Sequence, residues 1–378
     1  MKRIIAFVVC ILMFCLHQNV FAEEFQFNSD SVILMEAETG MILYESNADK
    51  PLPPASVTKI MTVLLVMEAI DGGKIELQDK VSISEHAANM GGSQVYLEPG
   101  EQMSVDELLK CVVVASANDA AAALAEYCAG SEEAFVAEMN RRASELGMEN
   151  THFENTNGLD DTTTTHLTSA RDIAIMSKEL LTHEKIFDYT TIWMDTIRNG
   201  AFGLTNTNRL IRFYKGANGL KTGSTSKAGF CISATAKRDG LQLIAVVMAS
   251  PTRDDRNQTA VKLLDYGFAN YAFYEDIAED LTQIRIPVIG SMTKEITVSS
   301  EDIFRKLISK NEKGKIERSV ILEENLHAPV TAGDTVGNIV YTMQGKEIGR
   351  VPIVASEEAK RIGFGDLLKI ALKKLAIF

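Results

Sequence analysis

The amino-acid sequence predicts an α+β protein, in which an antiparallel sheet flanked by helices is followed by a small all-β domain and a C-terminal amphipathic helix. Strand-like alternation occurs at residues 31–45 and again at 220–250, and helical patterns fill most of the interval. Beyond residue 276 the long helical patterns stop and short alternating segments follow. Residues 363–378 return to a helical period. Strands on both sides of a helical block indicate one mixed sheet covered by helices.

Residues 1–22 have the pattern of a secretory signal peptide. Lys2 and Arg3 precede an apolar run over 4–16, and Val20-Phe21-Ala22 is a small-residue site of the kind that signal peptidase cleaves. The run holds about 13 residues, fewer than the roughly 20 that span a bilayer. We therefore expect cleavage at this site and a protein that works outside the cytoplasm. An uncleaved N-terminal anchor is the alternative.

Residues 23–276 are predicted to form the first domain. A hairpin turns at Glu38-Thr39-Gly40, and Pro51 to Pro54 then break the chain. The helix that follows is expected to bury one side, made of Ile60, Met61, Leu64, Leu65 and Ile70. The next helix opens with a capping box of Ser104 and Glu107, and a third helix begins at Ser131 and is closed by Gly147. Two late strands flank a tight turn at Arg238-Asp239-Gly240.

Residues 277–358 are predicted to form the separate β domain, and residues 359–378 a basic tail. The alternating segments of the β domain are 284–288, 296–298, 320–322, 336–341 and 348–354. In the tail, one side of the helical wheel is apolar and lysines lie elsewhere. The apolar residues are Phe364, Leu367, Leu368, Ala371, Leu372, Leu375 and Phe378, and the lysines are Lys369, Lys373 and Lys374.

The tail suits a membrane surface that contains anionic lipid, and it is too short to span a bilayer. We expect residues 360–378 to hold the protein peripherally on the outer face of the bacterial cytoplasmic membrane. Packing of this helix back onto the β domain is the alternative.

Composition narrows the possible functions. The formal net charge is −13, which argues against a nucleic-acid partner. Five cysteines are too few for a disulfide scaffold, and two of them, Cys10 and Cys15, lie in the predicted signal peptide. The six histidines form no metal-binding pattern, so we predict neither a metal nor a cofactor.

The first chemical motif is Ser56-Val57-Thr58-Lys59, at a predicted helix start. The Ser-x-x-Lys spacing puts the hydroxyl and the amine on one face of the helix. A serine hydroxyl is too weakly acidic to attack unaided, so a neutral lysine beside it can take its proton. Burial and nearby cations would have to lower the pKa of that lysine. Alone, the motif is more typical of a surface serine and lysine in a first helical turn.

Two further motifs follow in order. Ser116-Ala117-Asn118 lies in a predicted turn between helices, and Lys221-Thr222-Gly223-Ser224-Thr225 lies at the first late strand, where a glycine lets a substrate backbone approach. Each could be an ordinary turn. The ordered set of Ser-x-x-Lys, Ser-x-Asn and Lys-Thr-Gly is the signature of penicillin-binding proteins and class A β-lactamases.

Over nearly its whole length the sequence resembles the low-molecular-mass D-alanyl-D-alanine carboxypeptidases of bacterial cell walls. The resemblance extends to four segments around the motifs and to two in the β domain. They are Pro54 to Thr62, Asn155 to Leu159, Gly219 to Gly223 and Lys262 to Phe268, with Ala328 to Val330 and Gly333 to Gly337. It implies a DD-peptidase-like transpeptidase fold, shared with β-lactamases, for residues 23–276. It also implies peptidoglycan stem peptides as substrate and β-lactam antibiotics as covalent inhibitors.

The resemblance also implies a role for each matching residue. Ser56 attacks the carbonyl between two D-alanines and forms an acyl-enzyme, Lys59 accepts its proton, and Ser116 passes a proton to the leaving amine. The remaining residues bind substrate: Asn118 orients Lys59 and the substrate amide, Lys221 supplies positive charge, and Thr222 and Thr225 bind the terminal carboxylate. Around Gly223, the backbone N–H groups of Ser56 and Ser224 form the oxyanion hole.

Two departures from the family put fine substrate preference in doubt. Many relatives have histidine after Lys-Thr-Gly and a His-Gly-Leu sequence, where this chain has Ser224 and Asn157-Gly158-Leu159. Arg256 lies where an arginine of some relatives helps to bind the carboxylate, and it is also consistent with a solvated helix arginine beside Arg253. Cys111, close before Ser116, suggests that a thiol reagent would impair activity.

Two other functions remain. A class A β-lactamase needs a glutamate within Glu-x-x-x-Asn to activate the deacylating water, and Glu145, Glu149 and Glu154 each lack that asparagine. A catalytically idle wall-binding or penicillin-sensing protein would keep the fold without the activity. The intact motifs favour the enzyme.

Overall fold

The computed structural model describes residues 26–300 and 302–375, so the predicted signal peptide lies outside the described residues. The first domain contains ten strands, β1 to β10, and nine helices, α1 to α9, within these ranges. The strands are Ser31–Glu36, Ile42–Ser46, Lys80–Ser82, Gln102–Ser104, Met194–Ile197, Phe202–Thr205, Ala217–Thr225, Gly229–Arg238, Leu241–Ser250 and Tyr271–Asp276. The helices are Lys59–Asp71, Glu85–Ala88, Val105–Lys110, Asn118–Ala129, Glu132–Glu145, Ala170–Leu180, Phe187–Thr190, Leu210–Phe213 and Arg253–Asn270.

A five-stranded antiparallel sheet in the order β2-β1-β9-β8-β7 organises this domain. Alternate residues of β1 enter different cores: Ile33 packs with α1 and α6, whereas Val32 packs with α9 on the opposite face. Because helices cover both faces, β1 and β9 have nearly continuous apolar runs rather than a polar alternation. The predicted α+β sheet flanked by helices is confirmed.

Local sequence signals account for several element boundaries. The capping box of Ser104 and Glu107 begins α3, Ser131 caps α5, and Gly147 follows that helix with φ +73°. The predicted one-sided burial of α1 is wrong, because every residue from 59 to 67 is buried. The helix is the centre of the larger core, and a central helix is apolar all round.

The second domain is a β structure with its own core. Its strands, β11 to β17, are Arg285–Ile289, Glu295–Ser299, Phe304–Ser309, Ile316–Leu322, Leu326–His327, Thr335–Met343 and Lys346–Ala355, and α10 is Phe364–Leu375. Six strands form one sheet in the order β14-β16-β17-β12-β11-β15. The sequence patterns missed β13, which leaves this sheet and pairs with β10 at the junction of the domains.

Candidate active site

Ser56 lies in a tight turn immediately before α1. Residues Ala55–Thr58 form one 3-10 turn, and Ala55 has φ +48°, an unfavourable conformation for a residue with a side chain. The Thr58 hydroxyl donates to the Ala55 carbonyl over 2.8 Å and so holds the turn closed. Lys59, the first residue of α1, brings its Nζ to 2.9 Å from Ser56 Oγ. The predicted nucleophile and base are therefore in hydrogen-bond contact.

The environment of Lys59 directs its nitrogen at Ser56. Nζ contacts the Asn118 side-chain oxygen at 2.5 Å and the Asn157 backbone oxygen at 2.8 Å, and both oxygens can only accept. A neutral amine has two N–H groups and one lone pair, so with both N–H groups donated to these oxygens the lone pair faces the Ser56 hydroxyl. Burial, followed by the charge of Lys221, lowers the pKa of Lys59 well below its usual value, and Asp119 opposes the shift.

A second serine and lysine pair lies beside the first. Ser116 has left-handed geometry, φ +63° and ψ +30°, between the π turn Cys111–Ala115 and α4, and Asn118 begins α4. Lys221 Nζ on β7 donates to Ser116 Oγ over 2.9 Å and to the Thr222 backbone oxygen over 2.8 Å. Burial first and Arg256 second lower the pKa of Lys221 to about 7. The structure thus brings all three predicted motifs together.

Two glycines permit the close approach of three backbone segments. A Cβ on Gly223 would lie 2.8 Å from the Ser56 nitrogen, so β7 can pass beside the nucleophile only without a side chain there. A Cβ on Gly158, which has φ +84°, would lie 1.8 Å from the Ala55 oxygen. The loop that carries Asn157 is therefore packed directly against the nucleophile turn.

His166 links that turn to the loop from the other side. Its Nδ1 accepts the Glu154 backbone N–H over 3.0 Å, so the proton is on Nε2, which donates to Thr58 Oγ1 over 2.8 Å. The side chain is only 4% exposed, and burial lowers the pKa of His166 to about 4. No sequence pattern identifies this histidine, because its partner Thr58 is 108 residues away in the chain.

A cavity of about 590 Å³ opens above Ser56 and carries a cluster of arginines. Ser116, Thr222, Gly223 and Ser224 from the motifs line it. Its other described lining residues are Ser93, Trp193, Thr205, Asn206, Thr207, Arg209, Phe213, Arg253 and Arg256, with no carboxylate among the lining residues that the structure describes. Such a site favours an anion.

Arg256 is buried, with 3% exposure, rather than solvated. Burial first and Arg253 second lower its pKa to about 10. Arg253 and Arg209 also line the cavity, although neither is among the site residues predicted from the sequence. The spacing of Arg253 and Arg256, three residues apart on α9, is a signal that could have identified Arg253. Arg209, Trp193 and Phe213 come from separate segments and have no such signal.

Thr225 does not join the predicted carboxylate site. Its hydroxyl donates to Asp160 Oδ2 and accepts the Ala228 backbone N–H over 2.9 Å, and the residue does not line the cavity. The hydroxyl carries a single hydrogen, which Asp160 accepts, so it has none to donate to a substrate carboxylate. Thr225 instead ties the loop at Asp160 to β7.

The described residues offer few other groups that could take part in a reaction. Within 26–300 and 302–375, no group of three His, Cys, Asp or Glu side chains could hold a metal ion. Cys111, Cys128 and Cys231 are free and buried. Burial raises the pKa of the Cys111 thiol to about 12, so the thiol chemistry expected from the sequence has no accessible thiolate.

Comparison with known proteins assigns both domains. Residues 18–252 match the family described as D-alanyl-D-alanine carboxypeptidase, and residues 282–361 match the penicillin-binding protein 5 C-terminal domain. The chain is 40% identical to D-alanyl-D-alanine carboxypeptidase DacF of Bacillus subtilis, over 98% of this chain and 97% of that protein. It is 34% identical to DacC of Escherichia coli, over 93% and 90% of the two chains.

Solved structures agree with this assignment. Penicillin-binding protein 6B from Escherichia coli matches 88% of this chain and 97% of its own, with 30% identity and a TM-score of 0.71. Penicillin-binding protein D2 from Listeria monocytogenes in the ampicillin-bound form matches 65% and 98%, with 33% identity and a TM-score of 0.59. The chain belongs to the D-alanyl-D-alanine carboxypeptidase family, within the low-molecular-mass penicillin-binding proteins.

Proposed function

We propose that this protein is a serine-type carboxypeptidase that removes the terminal D-alanine from peptidoglycan stem pentapeptides. The observation that carries the proposal is the buried Lys59 amine, 2.9 Å from Ser56 Oγ, with its N–H groups occupied by two acceptors. A lysine in this state is a base for the serine hydroxyl. The arginine-lined cavity beside it suits a substrate that ends in a carboxylate.

In the proposed reaction, Ser56 Oγ attacks the carbonyl between the two D-alanines as its proton passes to Lys59. The backbone N–H groups of Ser56 and Ser224 stabilise the negative oxygen that develops. The C–N bond then breaks, Ser116 passes its proton to the leaving amine and takes up the proton that Lys59 accepted, and D-alanine departs. Water attacks the acyl-enzyme as Lys59 accepts one of its protons, and that proton passes to Ser56 Oγ as the shortened peptide leaves. A β-lactam acylates the same hydroxyl by opening its ring.

The terminal carboxylate of the substrate is proposed to bind at Thr222, Ser224 and Arg256. Thr222 Oγ1 lies 2.8 Å from Thr207 Oγ1 at the cavity wall, and Arg256 has no carboxylate partner among the described residues. Thr222→Val should raise KM about tenfold or more, the cost of one hydrogen bond to a charged group. Thr225→Val is the matched control and should leave KM unchanged. Equal increases in KM would contradict this assignment.

A β-lactamase function is disfavoured by the loop next to Ser56. Glu154 accepts from Thr165, Asp160 accepts from Thr225, and neither has a hydrogen bond to Ser56 or Lys59. The proposal therefore predicts that a penicillin acylates Ser56 and leaves slowly. Rapid, sustained turnover of a penicillin by the purified protein would overturn that expectation.

An idle wall-binding or penicillin-sensing protein is the alternative from another class. The decisive assay incubates the purified protein with a pentapeptide ending in D-Ala-D-Ala and measures free D-alanine. Release is expected from the wild-type chain and not from Ser56→Ala. A folded wild-type protein that binds penicillin but releases no D-alanine would favour the idle alternative.

We also propose that the protein is exported through its N-terminal signal and is held on the outer face of the cytoplasmic membrane by residues 360–378. Four apolar side chains of α10 remain solvent-exposed instead of packing on the β domain: Phe364, Leu367, Leu368 and Leu372. In the part of the chain that the structure describes, no helix combines the length and apolarity needed to cross a bilayer. Deletion of residues 360–378 should release active protein from membranes, and a truncated protein that binds membranes as strongly as the full chain would contradict the anchor.

A further inference from the structure

The turn between β11 and β12 carries two exposed apolar side chains. Ile289 is 48% exposed and Met292 is 55% exposed. In β11, burial alternates, with Ile286 and Val288 inside, so Ile289 occupies an outward position where a polar residue is usual. We call residues 289–293 the hairpin tip.

The hairpin tip is joined by hydrogen bonds to the start of the C-terminal helix. The Ile362 backbone N–H donates to the Gly290 oxygen over 2.8 Å, and Ser291 forms an isolated β-bridge with Arg361. Phe364, which begins α10 two residues later, is 82% exposed. The backbone contacts therefore keep the apolar side chains of the hairpin tip beside the root of a helix that also exposes apolar residues.

Basic residues outnumber acidic ones over residues 289–295 and 358–373, in a chain of net charge −13. They are Lys294, Lys360, Arg361, Lys369 and Lys373, against Glu295, Glu358 and Asp366 on the same segments. Lys360 pairs with Glu358 over 3.1 Å. Apolar side chains bordered by an excess of positive charge fit the interface of a bilayer that contains anionic lipid.

We propose that the hairpin tip is a second membrane contact, which inserts Ile289 and Met292 into the interface beside α10. The proposal rests on the membrane anchor proposed above. A helix alone leaves the β domain free to rotate about a single attachment. A second contact, fixed to the root of the helix by backbone hydrogen bonds, sets the orientation in which the β domain stands on the membrane.

Tryptophan quenching tests the contact directly, since the sequence has one tryptophan, Trp193, in the catalytic cavity. Met292→Trp is compared with Leu368→Trp in α10 and with Ile321→Trp as matched control. Ile321 is 57% exposed on β14, which lies at the far side of the six-stranded sheet from β11. Each full-length chain, purified from membranes, is mixed with vesicles of phosphatidylcholine and phosphatidylglycerol that carry brominated acyl chains.

The added tryptophans at 292 and 368 should both be quenched by the brominated lipid, and the Ile321→Trp chain should match the wild-type chain. Quenching at 368 without quenching at 292 would overturn the hairpin contact and leave the anchor standing. Absence of quenching at both positions would overturn the anchor and the contact together. As a second measure, Ile289→Ser with Met292→Ser should weaken vesicle partitioning about tenfold relative to Val320→Ser with Ile321→Ser.

Discussion

His166 should make the stability of the catalytic domain depend on pH. In the folded protein the ring is neutral, because Nδ1 is occupied by the Glu154 N–H and burial lowers the pKa to about 4 from an ordinary value of 6.5. Between those values the unfolded chain binds a proton that the folded chain does not, so stability falls as pH decreases from about 6.5 to about 4. At about 1.4 kcal/mol per pH unit, the loss is about 3 kcal/mol.

The measurement is guanidinium unfolding at several pH values, followed by the fluorescence of Trp193. His166→Gln replaces the ring with an amide that does not titrate, so its free energy of unfolding should vary with pH by about 3 kcal/mol less than that of the wild type. His86→Gln is the control of opposite sign, because Glu132 raises the pKa of His86 and the stabilisation is lost as pH rises. Parallel curves for the wild type and His166→Gln would refute the reasoning.

Three other predictions follow from the site. A plot of kcat/KM against pH should be bell-shaped. Activity should fall on the acid side because Lys59 must be neutral to accept a proton, and it should fall above about pH 7 because Lys221 loses its charge there. A flat profile up to pH 9 would contradict this prediction. Gly158→Ala should lower kcat/KM about 100-fold by displacing the Ser56 turn. Gly147 also has a positive φ but open space around it, so Gly147→Ala should cost only about 1 kcal/mol of stability. The buried Cys111 thiol should not react with a maleimide in the native protein, as mass spectrometry can check, and rapid labelling would refute its burial.

Much of the site could be predicted because its motifs are local. Ser56 and Lys59 share one helical turn, and the hydroxyl and amine must meet wherever that helix packs. The capping residue Ser104 and the turn at Gly240 likewise act within a few residues of themselves. Such signals do not require knowledge of the fold.

Contacts between segments that are distant in the chain could not be predicted in the same way. Arg209 reaches the cavity from a loop before α8 and Arg253 from α9, and only the folded sheet brings them together. The motif assigns Thr225 to the carboxylate site, but its hydroxyl donates instead to Asp160, which is 65 residues away in the chain. The prediction that only one side of α1 is buried fails for a similar reason. The sequence of the helix does not show that other parts of the chain surround it.

The acceptor that Asn157 offers to Lys59 belongs to the main chain. Every amino acid carries that oxygen, so a change of side chain at position 157 leaves this hydrogen-bond partner of Lys59 in place. Gly158 has no such freedom, since any side chain would collide with the Ala55 carbonyl. Of these two neighbours, position 157 serves the base through its backbone oxygen, and position 158 serves the nucleophile turn by having no side chain.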